Sequence, residues 1–507
     1  MTELKYETAT VRSIIQEYRD GQLVVPEFQR EYIWPGNRAA KLLDSLYRTF
    51  PISSLLVWET EDPIEHRRKN EEPKPRGRLG WLIDGQQRVI TLSRLMAGDE
   101  IAVAFNLKED TFSRANAATE KDPHSVLVAR VWDDDWHRDY RRGLPDDAVG
   151  KKIEQRLEAV RAVLDYRVPV VRMIGYDLPG AVEAFKRINS LGVRLQDADL
   201  QSAEIALRHS GFIREVISPK LRALKRDGFD RLTASHLFRA CAFIAHPDGR
   251  RSTPLHDLET NEVKAAWKCT NAATTRALDI IRADLGIADM SVLWSGSLLV
   301  PVIALCSREP RPPSQEIAGW LAAAALKHRY SRASGTALDQ DLRACRTSDP
   351  IRELIRILRS GRRWIWASPS EFSSSSADKS SLLAVFIACM HRGIKDLYTK
   401  ESLAGHHGLD RHHVFPRAHF HPRDRADTIA NIAFVDKESN KILADERPEV
   451  YLSSLPPGVL RSQAIPEDKR LWALERAEDF WRARRGLVAN ALNDFLKSAL
   501  ADRRKIG

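Results

Sequence analysis

The stretch from Trp81 to Met96, WLIDGQQRVITLSRLM, limits this chain more than any other. Trp81, Leu82 and Ile83 suit a buried strand, Asp84-Gly85 ends it, and Val89, Leu92 and Leu95 follow at the spacing of one helix face. A strand, a tight turn and a helix start are expected. Gly85 admits a close backbone approach that a Cβ would block, and Gln86, Gln87 and Arg88 bring amides, carboxamides and a guanidinium to the positive end of the helix. A phosphate suits such a place. So does no ligand at all, since an ordinary strand-to-helix turn capped by Asp84 reads the same.

A chain of 507 residues exceeds one domain, so two or three are expected. The formal net charge of +10 favours an anionic partner, nucleic acid first. Cys241, Cys269, Cys306, Cys345 and Cys389 are far apart and form no CxxC pair, which speaks against a zinc ribbon or a disulfide framework and for a reducing compartment. The N-terminal MTELKYET has no signal-peptide core, and the apolar run Ser297 to Cys306 contains Pro301 and is too short to span a bilayer. A cytoplasmic protein with no membrane partner is expected; a homo-oligomer is left open.

Along the chain, residues 10 to 20 pattern as a short helix, Leu23 to Val25 as a strand stopped by Pro26, and Phe28, Tyr32 and Trp34 alternate with Gln29 and Arg30 in a loop that can pack rings inward and present polar groups. A helix from Asn37 and a strand from Ser54 to Trp58 follow, and Glu61 to Gly80 is a charged, Pro- and Gly-rich loop. Ile101 to Phe105, Val126 to Val131 and Val168 to Ile174 read as strands and Lys151 to Tyr166 as a helix. In Ala184 to Leu200 a helix ends near Asn189, and Gly192 permits a left-handed turn. Arg187 and Asn189 then lie where they can point toward Arg88 or simply face solvent. Helical patterns dominate from about 205 to 395, with scattered arginines, and the serine-rich Ser368 to Ser381 reads as a hinge or linker.

Near the C-terminus LDRHHVFP carries Asp410, His412 and His413 on a short strand, Ile432 to Val435 reads as a second strand, and a helix from about Lys437 bears Asn440. One imidazole free to take a proton from water, beside groups that hold a cation on a phosphate, is what one-metal phosphodiester hydrolysis requires. His413 suits the base; His412 or Asp410, with Asn440, suits the metal, and so oxygen-rich a set favours Mg²⁺ or Mn²⁺ over zinc. Adjacent strand residues point to opposite faces, so His412 and His413 cannot both face one phosphate on a regular strand. His406, His407, His419 and His421 read as surface residues. A long helix after Pro466 buries an apolar side and carries Arg482, Arg484 and Arg485, which are candidates for phosphate contacts.

Taken together, VPEFQREYIW, IDGQQRVITL and FKRINSLGVRLQDADL resemble, in order, the motifs of the DGQQR family of NTPase and sensor domains, itself distantly similar to ParB and sulfiredoxin. HHVFP with its downstream asparagines resembles the HNH nuclease domain often fused to that family, as in GmrSD-type modification-dependent restriction enzymes and SspE nucleases. The resemblance implies a helix-rich α+β protein with three parts: a ParB/sulfiredoxin-like α/β sensor domain over 1–210, a helical scaffold over 211–395, and a ββα-metal nuclease domain over 396–507. It implies GTP, ATP or CTP bound by Asp84, Gly85, Gln86, Gln87 and Arg88 with Gln29, Arg30, Arg187 and Asn189. His413 matches the general base and His412 a metal-binding position, and Asn431 and Asn440 match the family asparagines. Asp410 and His412 remain alternatives for the metal. An NTP-regulated nuclease acting on modified DNA in bacterial anti-phage defence is the first expectation; a nucleotide-dependent DNA-binding regulator with an inactive nuclease domain is the second. A third is a DGQQR pocket that contacts the DNA backbone or its modification and holds no nucleotide.

Overall fold

The computed structural model describes residues 2–25, 34, 36–60, 79–98, 101–191, 205, 209, 211–246, 255, 258–331, 334–360 and 364–501. The chain forms two compact units, Met1–Val216 and Ile217–Gly507. It is mixed α+β and rich in helix.

In the first unit β1 (Glu3–Thr10) leads into α1 (Val11–Arg19), whose N-terminus is capped by the Thr10 hydroxyl accepting from the Ser13 amide. Then come β2 (Leu23–Val24), α2 (Gly36–Tyr47), β3 (Leu55–Thr60), β4 (Leu79–Asp84) and α3 (Gln86–Ala97). A small antiparallel sheet, ordered β6-β5-β7, is built from β5 (Val103–Asn106), β6 (Thr111–Arg114) and β7 (Ser125–Leu127). It is followed by α4 (Ala148–Ala162), β8 (Arg167–Ile174) and α5 (Leu178–Leu191). The main sheet is five-stranded in the order β1-β8-β3-β4-β2, with β8 parallel to β3 and β2 parallel to β4. Both faces of its centre are covered. Leu82 joins the larger core with Val57, Leu92 and Val170, and Trp81 and Ile83 join Trp58, Met173 and Val182 on the other side. That double burial is why β4 reads as a continuous apolar run.

Two elements depart from the sequence reading. From Glu3 the polar N-terminal segment is an edge strand, β1, paired among the described residues only with β8 and exposed along most of its length, which hides it from a reading by buried apolar residues. The stretch Val126 to Val131 is not one strand. The chain leaves β7 at Leu127 and turns into a helical segment, Val128–Val131, because Val128 and Val131 three residues apart are both fully buried.

The second unit has helices α6 (Ala234–Ala245), α7 (Thr260–Leu285), α8 (Leu299–Cys306), α9 (Ser314–Leu326) and α10 (Lys379–His391). An antiparallel pair follows, β9 (Asp410–His413) and β10 (Ile432–Val435), then α11 (Lys437–Leu443) and the terminal α12 (Ala477–Ala499). The helical scaffold and the strand pair share this one unit. The serine-rich segment is built into it and is no hinge. Phe372 is buried, Asn493 of α12 bonds both backbone groups of Ala367 at 2.7 and 2.9 Å, and Ser375 forms a β-bridge with Thr428. Serine there caps and pairs; Asp378 accepts from the Ser380 and Ser381 amides to start α10. Four of the five cysteines are buried and all are free. Among the described residues no helix is long and apolar enough to cross a membrane.

Candidate functional site

Register decides what β9 presents. His412 pairs with Ala433 and His413, the last residue of the strand, with Ile432, and the two imidazoles meet different partners. His412 shares its face with Asp410. There it meets α11, whose start is fixed by the Asp436 side chain accepting from the Glu438 amide at 2.9 Å. This cap sets Asn440 facing β9, with its Oδ1 3.1 Å from His412 Nδ1 and its Nδ2 3.3 Å from Asp410 Oδ2. His412 is 2% exposed, and its Nε2 lies 3.3 Å from the Tyr451 hydroxyl. Burial pulls its pKa down to about 4, so the ring is neutral near neutral pH, the form that binds a metal.

These residues suit a cation with room left for a substrate. Two donors at neighbouring octahedral positions, each about 2.1 Å from a magnesium ion, stand about 3 Å apart, close to the observed separation of His412 Nδ1 and Asn440 Oδ1. Asp410 and Asn440 are only partly buried, so the cluster opens to solvent on their side. Among the described residues no three His, Cys, Asp or Glu side chains are grouped to hold a metal. The set is one imidazole, one carboxylate and one amide, which leaves positions for phosphate oxygens and water.

The adjacent His413 is partly buried, and its Nε2 lies 3.1 Å from Asp427 Oδ1. Burial lowers its pKa, against the opposing pull of Asp427. The second Asp427 oxygen is 3.1 Å from an Arg417 nitrogen. Neither Asp427 nor Arg417 stands out in the sequence, because their approach to His413 is made by the loop between the strands and not by spacing along an element.

Asn431 plays a different part. It is completely buried; its Oδ1 accepts from the Phe415 amide at 2.8 Å, and its Nδ2 donates to the Phe415 and Ala426 carbonyls at 2.9 Å each. It closes the loop that follows HHVFP and touches neither imidazole. Arg484 is likewise no surface phosphate contact. It is fully buried, donates to the carbonyls of Ala430 and Gln463 at 2.9 and 3.1 Å, and burial lowers its pKa. It supports the start of β10 from beneath. His406, His407, His419 and His421 are exposed, as their sequence context implies.

Residues 11–206 match the family model described as GmrSD restriction endonuclease, N-terminal domain. The first unit is thus similar to the N-terminal part of a restriction endonuclease. An uncharacterized protein of Methanocaldococcus jannaschii is 20% identical over 540 residues, covering 92% of this chain and 90% of that protein. A similarity of that span takes in both units.

Within the matched region the expected turn is present. Gly85 has φ +96°, and a Cβ there would stand 2.2 Å from Leu55 Cδ2. Gln86 and Gln87 are each 6% exposed, and Gln86 Oε1 is buried without a hydrogen-bond partner among the described residues. Arg88 faces inward. It donates to the Ser53 and Ser54 carbonyls at 2.8 Å each, to the Ile52 carbonyl, and to Asp84 Oδ2 at 3.1 Å. Arg187 is on α5, exposed, with its Nε 2.7 Å from Glu183. Asn189 is in the same helix, its side chain outside the described residues, as are Gln29 and Arg30.

Proposed function

We propose that the protein is an NTP-regulated, modification-dependent DNA endonuclease or nickase of anti-phage defence, cytoplasmic, cutting phosphodiester bonds by a one-metal HNH mechanism at the β9-β10-α11 element. The observation that carries this reading is the pair of adjacent, differently partnered imidazoles at the end of β9. His412 lies with an amide and a carboxylate, and His413 is backed by a carboxylate.

In this reading His413 takes a proton from water as the water oxygen bonds to phosphorus and the bond to the 3′ oxygen breaks. His412, Asn440 and Asp410 would hold Mg²⁺ or Mn²⁺, which when bound offsets charge on the scissile phosphate and the departing oxygen. In the first unit, the left-handed turn at Gly85 and the helix start behind it support a site for the phosphates of GTP, ATP or CTP. Arg88 serves that site by holding the turn. The net charge of +10 supports DNA as the partner.

The test is cleavage of glucosylated, methylated, phosphorothioated and plain DNA with Mg²⁺ or Mn²⁺, with and without each nucleotide. Cleavage of at least one DNA, lowered on the order of 10³-fold by His413→Ala with no loss of folding stability, is expected. Undiminished cleavage by that variant sinks the assignment. Absence of any cleavage while nucleotide still alters DNA binding makes the protein a regulator with an inactive nuclease domain.

A further inference from the structure

We infer that Asp427 is the positioning residue of the His413 base, fixing its tautomer and ring orientation so that Nδ1, and not Nε2, receives the proton from water. This rests on the nuclease reading above. The argument begins at the 3.1 Å contact between His413 Nε2 and Asp427 Oδ1. An ionised carboxylate only accepts, so the imidazole nitrogen facing it carries the hydrogen and the other nitrogen keeps its lone pair. Nδ1 is the nitrogen left to act.

Asp427 is itself held from several directions. Arg417 stands 3.1 Å from its second oxygen, and its backbone carbonyl accepts from the Ser376 amide at 3.0 Å. The adjacent Thr428 bridges Ser375, and the Ile429 amide donates to the Ser374 carbonyl at 3.1 Å. The serine-rich segment thus fixes the loop carrying Asp427 through one β-bridge and the two backbone hydrogen bonds around it. Asn431 and Arg484 secure the far end of the same loop through Ala426 and Ala430. A loop pinned at both ends around a carboxylate aimed at one imidazole nitrogen is more than closing the strand pair requires. Asn431 already does that.

The experiment is a double-mutant cycle in the full chain, using the DNA that the wild type cuts. Asp427→Ala should lower kcat on the order of 10²-fold and leave KM within about threefold, because the residue orients a base and does not touch DNA. In the His413→Ala background the same substitution should cost nothing further in residual cleavage. Asp427→Glu should recover part of the loss. An independent readout is the ¹⁵N signal of His413 in histidine-labelled protein under mildly alkaline conditions, assigned by its disappearance in His413→Ala. It should report the Nε2–H form in the wild type and a mixture of tautomers in Asp427→Ala. Equal losses from Asp427→Ala in both backgrounds, or an unchanged tautomer, overturn the inference alone. If His413→Ala cuts as fast as the wild type, or the wild type cuts no DNA, the nuclease reading falls and takes the inference with it.

Discussion

Asn440 Oδ1 and His412 Nδ1 stand 3.1 Å apart, one on the helix that follows β10 and the other on β9. The contact links two elements whose relative placement is set elsewhere. The Asp436 cap fixes where the helix begins, and the Asp436 amide itself donates to the buried Asp396 carboxylate at 2.8 Å. Asp396 also accepts from the Tyr398 and Thr399 amides, so the pair is referenced to a rigid turn.

Replacing Asn440 by Ala should therefore separate metal use from folding. His412 loses one partner at the open side of the cluster, where water can take its place, so stability should change by no more than about 1 kcal/mol. The concentration of Mg²⁺ or Mn²⁺ needed for half-maximal DNA cleavage should rise at least about tenfold. An unchanged metal titration would remove Asn440 from the ligand set.

Asn431→Ala should do the reverse. Removing this side chain leaves the Phe415 amide and the carbonyls of Phe415 and Ala426 without partners inside a dry core. Each orphaned buried group costs about 1–3 kcal/mol, so a loss of about 3 kcal/mol or more is expected in urea unfolding of the second unit. Cleavage, if it survives at low temperature, should show the wild-type metal requirement. A variant as stable as the wild type would contradict the clamp.

In the first unit Arg88 is expected to act on stability before it acts on any ligand. Its guanidinium gathers the Ile52, Ser53 and Ser54 carbonyls beside the Gly85 turn, and burial lowers its pKa. Arg88→Ala leaves these carbonyls unmatched and should lower stability by about 2–4 kcal/mol. Arg88→Lys should restore little, because an ammonium cannot reproduce the fork. Nucleotide titration of a variant that remains folded would then report on the turn and not on a lost phosphate contact. Full stability with selective loss of nucleotide binding would show that Arg88 touches the ligand.

How far the sequence reveals this arrangement depends on how local the signal is. Trp81 to Leu95 can be read because strand, Gly turn and helix are adjacent and each has its own period. Asp410, His412 and Asn440 can be read because a two-residue alternation and a capped helix fix their faces. Asp427 cannot, since its bond to His413 spans a loop without periodicity. Arg484 misleads for a related reason: a guanidinium beside Arg485 looks solvated, and only the packing of α12 beneath β10 reveals two carbonyls that need its donors. The inward turn of Arg88 is hidden in the same way, because its partners are backbone atoms of another segment. The edge strand β1 is hidden by its exposure.

A pH dependence follows from His236, away from any proposed chemistry. Its Nδ1 lies 3.1 Å from the Thr233 amide and 2.9 Å from the Thr233 hydroxyl, and its Nε2 lies 3.2 Å from the Ser297 hydroxyl. Burial, aided by Arg239, lowers its pKa from 6.5 to about 4. Above the unfolded value the ring is neutral in both states and contributes nothing to the slope. Below it the unfolded chain binds a proton that the folded site refuses, so stability falls as pH drops from about 6.5 toward 4. The loss from this residue should reach about 2 kcal/mol by about pH 5. Carboxylates add their own acid slope, so the measurement is a comparison. Urea midpoints of the second unit at neutral pH and near pH 5 should fall further apart in the wild type than in His236→Gln, which has no proton to refuse. Parallel shifts in the two proteins would mean that His236 titrates in the folded protein as it does in the unfolded chain.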